Sequence, residues 1–314
     1  MTPDEILKVL SAGADSAPGP DGIRMRDIVG LGADVLCSHF NLWLLCGSQP
    51  SPLCAGRTVF LPKGSDSDDP LKYRPITIAS HILRVFHKVM ARRCDATIPL
   101  NYTQKGFRTG DGIAQHVLSV QAIIDSAKRN LTPLHLVFLD VSKAFDSVSH
   151  DTILLAMRRL GCPDPFLSYI RELYLRSSTV LEHNGKKSDP IHVNRGVKQG
   201  DPLSPFLFNA VIDWAISSLD NHLGFSFGNI RINNLGYADD IVLLGETPNG
   251  LRKQLGRLES HLAAGGLIIS AGKEGKSASL SIVIDGKAKR WVANRTPFLA
   301  NKSGLIPSLT ATGE

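Results

Sequence analysis

The chain has little of what marks a secreted scaffold, a membrane protein or a disordered tail. Its five cysteines (Cys37, Cys46, Cys54, Cys94 and Cys162) form no Cys-x-x-Cys pair. That argues against a disulfide framework or a zinc site, and reads as reduced thiols in an intracellular protein. No apolar run approaches the ~20 residues of a membrane span, so no membrane partner is expected. No repeat, low-complexity stretch or long block of one charge stands out. Met1-Thr2-Pro3-Asp4-Glu5 lacks the basic and apolar regions of a signal peptide. Charge excess is also small: 35 Lys and Arg against 29 Asp and Glu, a net +6. That suits a polyanionic partner without identifying one. What is present is 43% hydrophobic content in 314 residues, enough for the core of one large or two small domains.

The residues with the most chemical content are acidic. Asp239-Asp240 follow the turn-forming Asn233-Asn234-Leu235-Gly236 and precede the apolar Ile241-Val242-Leu243-Leu244, which predicts a turn and then a strand. Neighbouring side chains on a regular strand point to opposite faces, but at a hairpin tip they can converge. Asp140 is predicted to end another apolar strand, over residues 134–139. Carboxylates at strand ends from two segments are what two divalent cations roughly 4 Å apart need for in-line phosphoryl displacement. An isolated Asp-Asp pair is more often a solvated turn, so the surrounding strings decide.

Three such strings occur. Phe138-Leu139-Asp140-Val141-Ser142-Lys143-Ala144-Phe145-Asp146-Ser147-Val148 resembles motif A of reverse transcriptases. Arg195-Gly196-Val197-Lys198-Gln199-Gly200-Asp201-Pro202-Leu203-Ser204-Pro205 resembles motif B, and Tyr237-Ala238-Asp239-Asp240 resembles motif C. They stand in family order. Within the family the chain most resembles enzymes of non-LTR, target-primed retrotransposons. Lys276-Ser277-Ala278-Ser279-Leu280, Trp291 and Thr296-Pro297-Phe298-Leu299 resemble the clade that inserts into ribosomal RNA genes.

The resemblance implies an RNA-directed DNA polymerase that uses dNTP, an RNA template and a DNA primer. It implies two Mg²⁺ ions, with Mn²⁺ as a substitute, on Asp140, Asp239 and Asp240, with the Val141 carbonyl as a further oxygen ligand. Asp146 lies outside the predicted strand and reads as structural. Phe145, five residues after Asp140, matches the family's sugar-discriminating aromatic. Gln199 and Gly200 would meet the incoming nucleotide, and Lys63 and Arg74 would grip its triphosphate. Gln104, Gly106 and Phe107 resemble a short motif near the template. Arg84, Lys88 and Arg92 recur at helical spacing and could track phosphates. Lys273 stands where the family often has a lysine that protonates pyrophosphate. Ser270 replaces the usual Asn there, and Lys276-Ser277 offers a competing register. His150 reads as a packing or capping residue. Nuclear localisation is implied by the family alone.

The expected fold class is α+β: right-hand polymerase fingers and palm, with helices packed on an antiparallel palm sheet. Fingers are expected over residues 1–130 and 150–195, and palm over 131–149 and 196–285, with a linker over 286–314 towards a thumb that this chain does not show. Helices are expected over 3–10, 30–45, 82–93, 151–160, 165–175 and 251–264. A loop over 16–22 resembles a small N-terminal motif near template RNA, or is an ordinary inter-helix turn. Strands are expected over 58–61, from 73, over 179–183 and 191–193 around Asn184-Gly185, and over 267–269 and 279–284. Two rival functions share these residues. One is an RNA-templated RNA polymerase, against which Phe145 and Tyr237-Ala238 argue. The other is a decayed or domesticated palm that binds nucleic acid without activity.

Overall fold

The structure, a computed structural model, describes residues 1–13, 16–64, 69 and 72–270, and the backbone of two further strands, Ser281–Asp285 and Ala288–Val292. In chain order the elements begin with α1 (Pro3–Leu10), α2 (Met25–Leu31), α3 (Ala33–Cys46), β1 (Ala55–Pro62), β2 (Tyr73–Ala79) and α4 (His81–Thr97). Then come α5 (Gly112–Asn130), β3 (His135–Ser142), α6 (Ala144–Ser147), α7 (His150–Arg159), α8 (Asp164–Leu175), β4 (Ser178–His183), β5 (Lys186–Lys187) and β6 (Ile191–His192). The chain continues through α9 (Ser204–Ile216), β7 (Phe225–Phe227), β8 (Ile230–Ile232), β9 (Asn234–Tyr237), β10 (Asp240–Gly245), α10 (Pro248–Ala264), β11 (Ile268–Ile269), β12 (Ser281–Asp285) and β13 (Ala288–Val292). Two compact units share these elements, one made of Met1–Asn101 and Lys143–Trp214, the other of Tyr102–Ser142 and Ala215–Glu314.

In the first unit, a capping box starts α1. The Thr2 hydroxyl accepts from the Glu5 amide, and the Glu5 carboxylate accepts from the Thr2 amide. The single helix expected over 30–45 is two helices, because Gly32 adopts φ 81° between them. Together α2 and α3 are apolar enough to span a membrane only as a pair bent by 95°, and no single helix among the described residues qualifies. Residues of α3, α4 and α8 meet around Phe40, Trp43, Phe86 and Tyr169, whose neighbouring ring centroids lie 5.0–5.4 Å apart. The sheet runs β2-β1-β4-β5, with β6 also on β4. Asn184 and Gly185 take positive φ in the tight turn between β4 and β5, and β6 returns to pair with the start of β4.

The second unit is built on an antiparallel sheet of order β11-β3-β10-β9. On one face Leu136 and Phe138 of β3, Leu235 of β9 and Val242 and Leu244 of β10 form a core with Ile123 and Ala127 of α5 and with Phe225 and Ile232. Helix α10 lies against β10, β3 and β11. Helix α5 is not among the elements expected from the sequence. It is a 19-residue helix whose Asp111 cap accepts from the Ala114 amide. Strand β3 also runs two residues past Asp140, to Ser142, because β11 pairs with Val141 and Ser142. Asp140 is therefore inside the strand and does not end it.

Buried charge in the first unit holds the loop before α9. Asp201 lies within hydrogen-bond reach of His87 Nδ1 at 2.6 Å, and His87 Nε2 is 2.7 Å from the Tyr169 hydroxyl. His87 is 0% and Asp201 6% exposed, so neither group has water to fall back on. Burial alone would raise the Asp201 carboxyl; His87, the Leu203 amide and Lys198 together hold it below its ordinary value. Lys198, itself pushed down by burial, donates to the Cys54 carbonyl. Tyr169→Phe removes one link and leaves His87 Nε2 buried without that partner. It is expected to lower stability by ~1–3 kcal/mol with the fold retained. Urea denaturation at pH 7 measures this, and an unchanged midpoint would show the link to be idle.

Candidate active site

The carboxylates sit where the apolar face of the second unit ends. Strands β3 and β10 pair in a register that opposes Leu244 to Leu136, Val242 to Phe138, and Asp240 to Asp140. Alternation puts these pairs on one face, so two apolar pairs lead into an acidic pair. Directly opposed residues have Cβ atoms roughly 5 Å apart, and like charges there repel. Asp239 is next to them, in the two-residue turn Ala238-Asp239 between β9 and β10.

Electrostatics record this crowding. Burial first, then Asp239 and Asp140, push the Asp240 carboxyl up to about 6. Asp239 is raised by burial and by Asp140, partly offset by its own backbone amide. Asp140 is exposed and the other two are half-buried. Among the described residues no three His, Cys, Asp or Glu side chains already close into a metal cage. The arrangement nevertheless fits Mg²⁺, which takes one or two carboxylates and fills its remaining positions with water and phosphate oxygens. Hard, mutually repelling oxygen donors are what such an ion would neutralise.

The turn itself is strained and clamped. Ala238 has φ 56°, a conformation that costs an L-residue about 1–2 kcal/mol. Gln104, which is 0% exposed, holds it from both sides. The Ala238 amide donates to Gln104 Oε1 at 2.8 Å, and Gln104 Nε2 donates to the Ala238 carbonyl at 3.2 Å. The Gly106 amide shares Oε1 at 2.9 Å. The two bonds to Ala238, at ~1 kcal/mol net each, offset the strain. Gln104 and Gly106, expected near the template, are thus buried beneath the acidic turn. Phe107 is 56% exposed with φ 57°.

The first unit gathers the nucleotide-side candidates from motifs A and B. The Val197 amide donates to the Phe145 carbonyl and the Gly196 amide to Val148, both at 2.7 Å. The Thr77 amide of β2 donates to the Gln199 carbonyl, also at 2.7 Å. Gly200, at φ 107°, sits so close to β2 that a Cβ would lie 2.8 Å from the Thr77 carbonyl. Gln199 Nε2 donates to Asp146 at 2.7 Å, which gives Asp146 its structural task. The Phe145 ring packs on Phe208 at 4.7 Å. His150 stacks on Tyr174 and donates to the Gly196 carbonyl. Lys63 and Arg74 are exposed at the far end of the β1–β2 pair.

The basic row on α4 is not a uniform free face. Arg84 is half-buried and donates to the Ser16 hydroxyl and the Ala17 carbonyl, and burial lowers its pKa. Its fork therefore anchors the 16–22 loop, which Arg57 also holds through Pro18. Arg92 is exposed and Lys88 half-buried. Lys273, residues 276–280 and 296–299, and the Trp291 side chain lie outside the described residues.

A β-hairpin carrying paired carboxylates thus lies antiparallel to a strand with a third. The reverse transcriptase (RNA-dependent DNA polymerase) family profile matches residues 61–281, and the chain belongs to that family. It is 34% identical over 311 residues to the Pol polyprotein of the retrotransposable element R2DM of Drosophila melanogaster. It is 39% identical over 296 residues to that of an R2 element of Nasonia vitripennis and 36% over 308 to that of Popillia japonica. These alignments take in 94–99% of this chain but only 28–42% of the relatives' length. Telomerase structures from Candida tropicalis share the fold at TM-scores of 0.52 and 0.53 and 10–12% identity. They cover 90% and 82% of this chain and 50% and 56% of theirs.

Burial of Asp240 beside two other carboxylates has a measurable consequence without any metal. Asp240 ionises near 3.8 when unfolded and near 6 when folded. Between those values the folded chain holds a proton that the unfolded chain has released, so stability falls as pH rises through the window. Asp240→Asn removes that loss. The metal-free variant is expected to melt higher than wild type at pH 7.5 and equally at pH 3.5. A lower melting temperature at pH 7.5 would refute the raised ionisation of Asp240.

Proposed function

We propose that this chain is the polymerising core of a non-LTR retrotransposon. It transfers a nucleotide from a dNTP to a DNA primer 3′-OH along an RNA template. The observation that carries the reading is Asp140 facing Asp240 across two strands, with Asp239 in the adjoining turn. Two Mg²⁺ ions, or Mn²⁺ in their place, would polarise the phosphate and align attacking and leaving oxygens. Asp140, Asp239 and Asp240 would hold them, with the Val141 carbonyl as a further oxygen.

The protein's remaining work is positioning and charge neutralisation. Phe145 stands against the sugar C2′ and leaves no room for a hydroxyl. Its backing by Phe208 keeps the ring from yielding. Gln199 faces the nucleotide with its amide direction set by Asp146, and Gly200 lets backbone approach closely. Lys63 and Arg74 supply cations for the triphosphate. Lys88 and Arg92 contact nucleic-acid phosphates, and Phe107 stacks near the template. Lys273 is the candidate acid for pyrophosphate. Fingers over 1–130 and 150–195, palm over 131–149 and 196–285, and nuclear action belong to the same proposal.

Asp239→Asn is expected to abolish primer extension and leave RNA-template binding within about twofold. Near-normal extension by this variant would sink the metal assignment and favour a palm that merely binds nucleic acid. Phe145→Ala is expected to raise rNTP use relative to dNTP, read as the ratio of kcat/KM values. If extension persists with the ratio unmoved, the ring is packing and another group selects the sugar.

A further inference from the structure

We infer that Gln104 is a positioning residue for divalent-metal binding: it sets the aim of the Asp239 and Asp240 carboxylates by holding Ala238 in its left-handed conformation. This rests on the polymerase reading above. The direction of Asp239 follows from the dihedrals of a two-residue turn, and Ala238 takes a φ that alanine rarely adopts. Something must hold it there. Gln104 meets both backbone groups of Ala238, accepting from its amide and donating to its carbonyl.

The clamp is itself fixed. Residues 103–106 run beside β9, with Gln104 bridged to Gly236 in parallel sense. The Gly236 amide donates to the Thr103 carbonyl, and the Lys105 amide to the Gly236 carbonyl, both at 2.9 Å. His116 Nε2 also donates to the Gly236 carbonyl, at 2.9 Å. The Thr103 hydroxyl donates to Asn234 at 2.7 Å. Gly106 is packed so tightly that a Cβ would lie 2.2 Å from the Ala238 nitrogen.

The residue type is informative as well. One side chain must donate and accept at once, which an amide does and a carboxylate or hydrocarbon does not. It must also be neutral, because three carboxylates already repel next to it. An uncharged, buried, two-way clamp keeps the ligands converged before a metal arrives to neutralise them. Groups that orient a ligand in this way commonly change metal affinity ~10–100-fold when removed.

The test is Mn²⁺ binding to the 314-residue chain, followed by electron paramagnetic resonance of free Mn²⁺. Melting temperature is measured with and without the ion. Four proteins are compared: wild type, Asp239→Asn, Gln104→Ala and Gln104→Glu. The Glu variant keeps the shape and the two accepting contacts but loses the donor. Both Gln104 variants are expected to keep the wild-type circular dichroism, to bind Mn²⁺ ~10-fold or more weakly, and to lose most of the Mn²⁺-induced rise in melting temperature. Folded variants that bind Mn²⁺ like wild type would overturn the inference. So would unfolding of both, because the amide would then hold the fold and not the site. Failure of wild type to bind Mn²⁺ more tightly than Asp239→Asn would instead overturn the polymerase reading itself.

Discussion

Everything at the site depends on like charges held face to face. Asp140 and Asp240 are opposed across β3 and β10, and an isolated pair of strands would relieve that repulsion by slipping register or fraying. A one-residue slip would turn every side chain of the strand to the other face. Here it would expose Val242 and Leu244 and lose their packing on Phe138, Leu136 and the α5 residues Ile123 and Ala127. Burying such side chains is worth ~1.5–3 kcal/mol each, so two or three outweigh the repulsion of one acidic pair. The apolar stretch of the face therefore enforces the acidic end. The same register serves the fold and the site, and the energetic tension is concentrated in one turn.

Both units solve a similar problem by similar means. A backbone segment that must present groups outward is fixed from behind by a buried polar side chain. Beneath the acidic turn that side chain is Gln104. Under the loop leading into α9 it is Asp201, which caps the Leu203 amide and is held by His87, itself bonded to Tyr169. Buried polar groups of this kind are costly unless satisfied, and these are satisfied by partners distant in sequence: Gln104 by Ala238, Asp201 by His87. Loops that chemistry requires to be irregular thus gain the rigidity of the core. Glycines work alongside them where backbones must nearly touch, as Gly106 does at Ala238 and Gly200 at Thr77.

Much of this was legible in the sequence, and the boundary of legibility follows physical lines. Local patterns read well: the short helix α1, the Asn184-Gly185 turn and the hairpin turn before β10 all follow from residue types within a few positions. The turn placement of Asp239 follows for the same reason. What failed depends on contacts far along the chain. Strand β3 was read as ending at Asp140 because its last residues pair with β11, more than a hundred positions later. Arg84 looked like a free phosphate contact because helical spacing cannot show that Ser16 and Ala17 lie against it. The period of α5 is present in Ile123, Ala127 and their neighbours, which pack on the second sheet. Gln104 is the instructive miss: it stood in a recognisable string, yet only the fold shows that its amide faces Ala238.

The motifs of this chain are accordingly not independent tags. Motif C supplies the acidic turn, but a segment about 130 positions earlier decides the conformation in which that turn is held. Motif B supplies Gln199 and Gly200, but Asp146 at the tail of motif A takes the Gln199 amide. His87 on α4 anchors Asp201, the residue after Gly200. A substitution at a supporting position therefore acts on a functional group it never resembles in sequence. Reading function from such a chain requires asking of each recognised residue not only which chemistry it offers, but which buried partner makes it hold still.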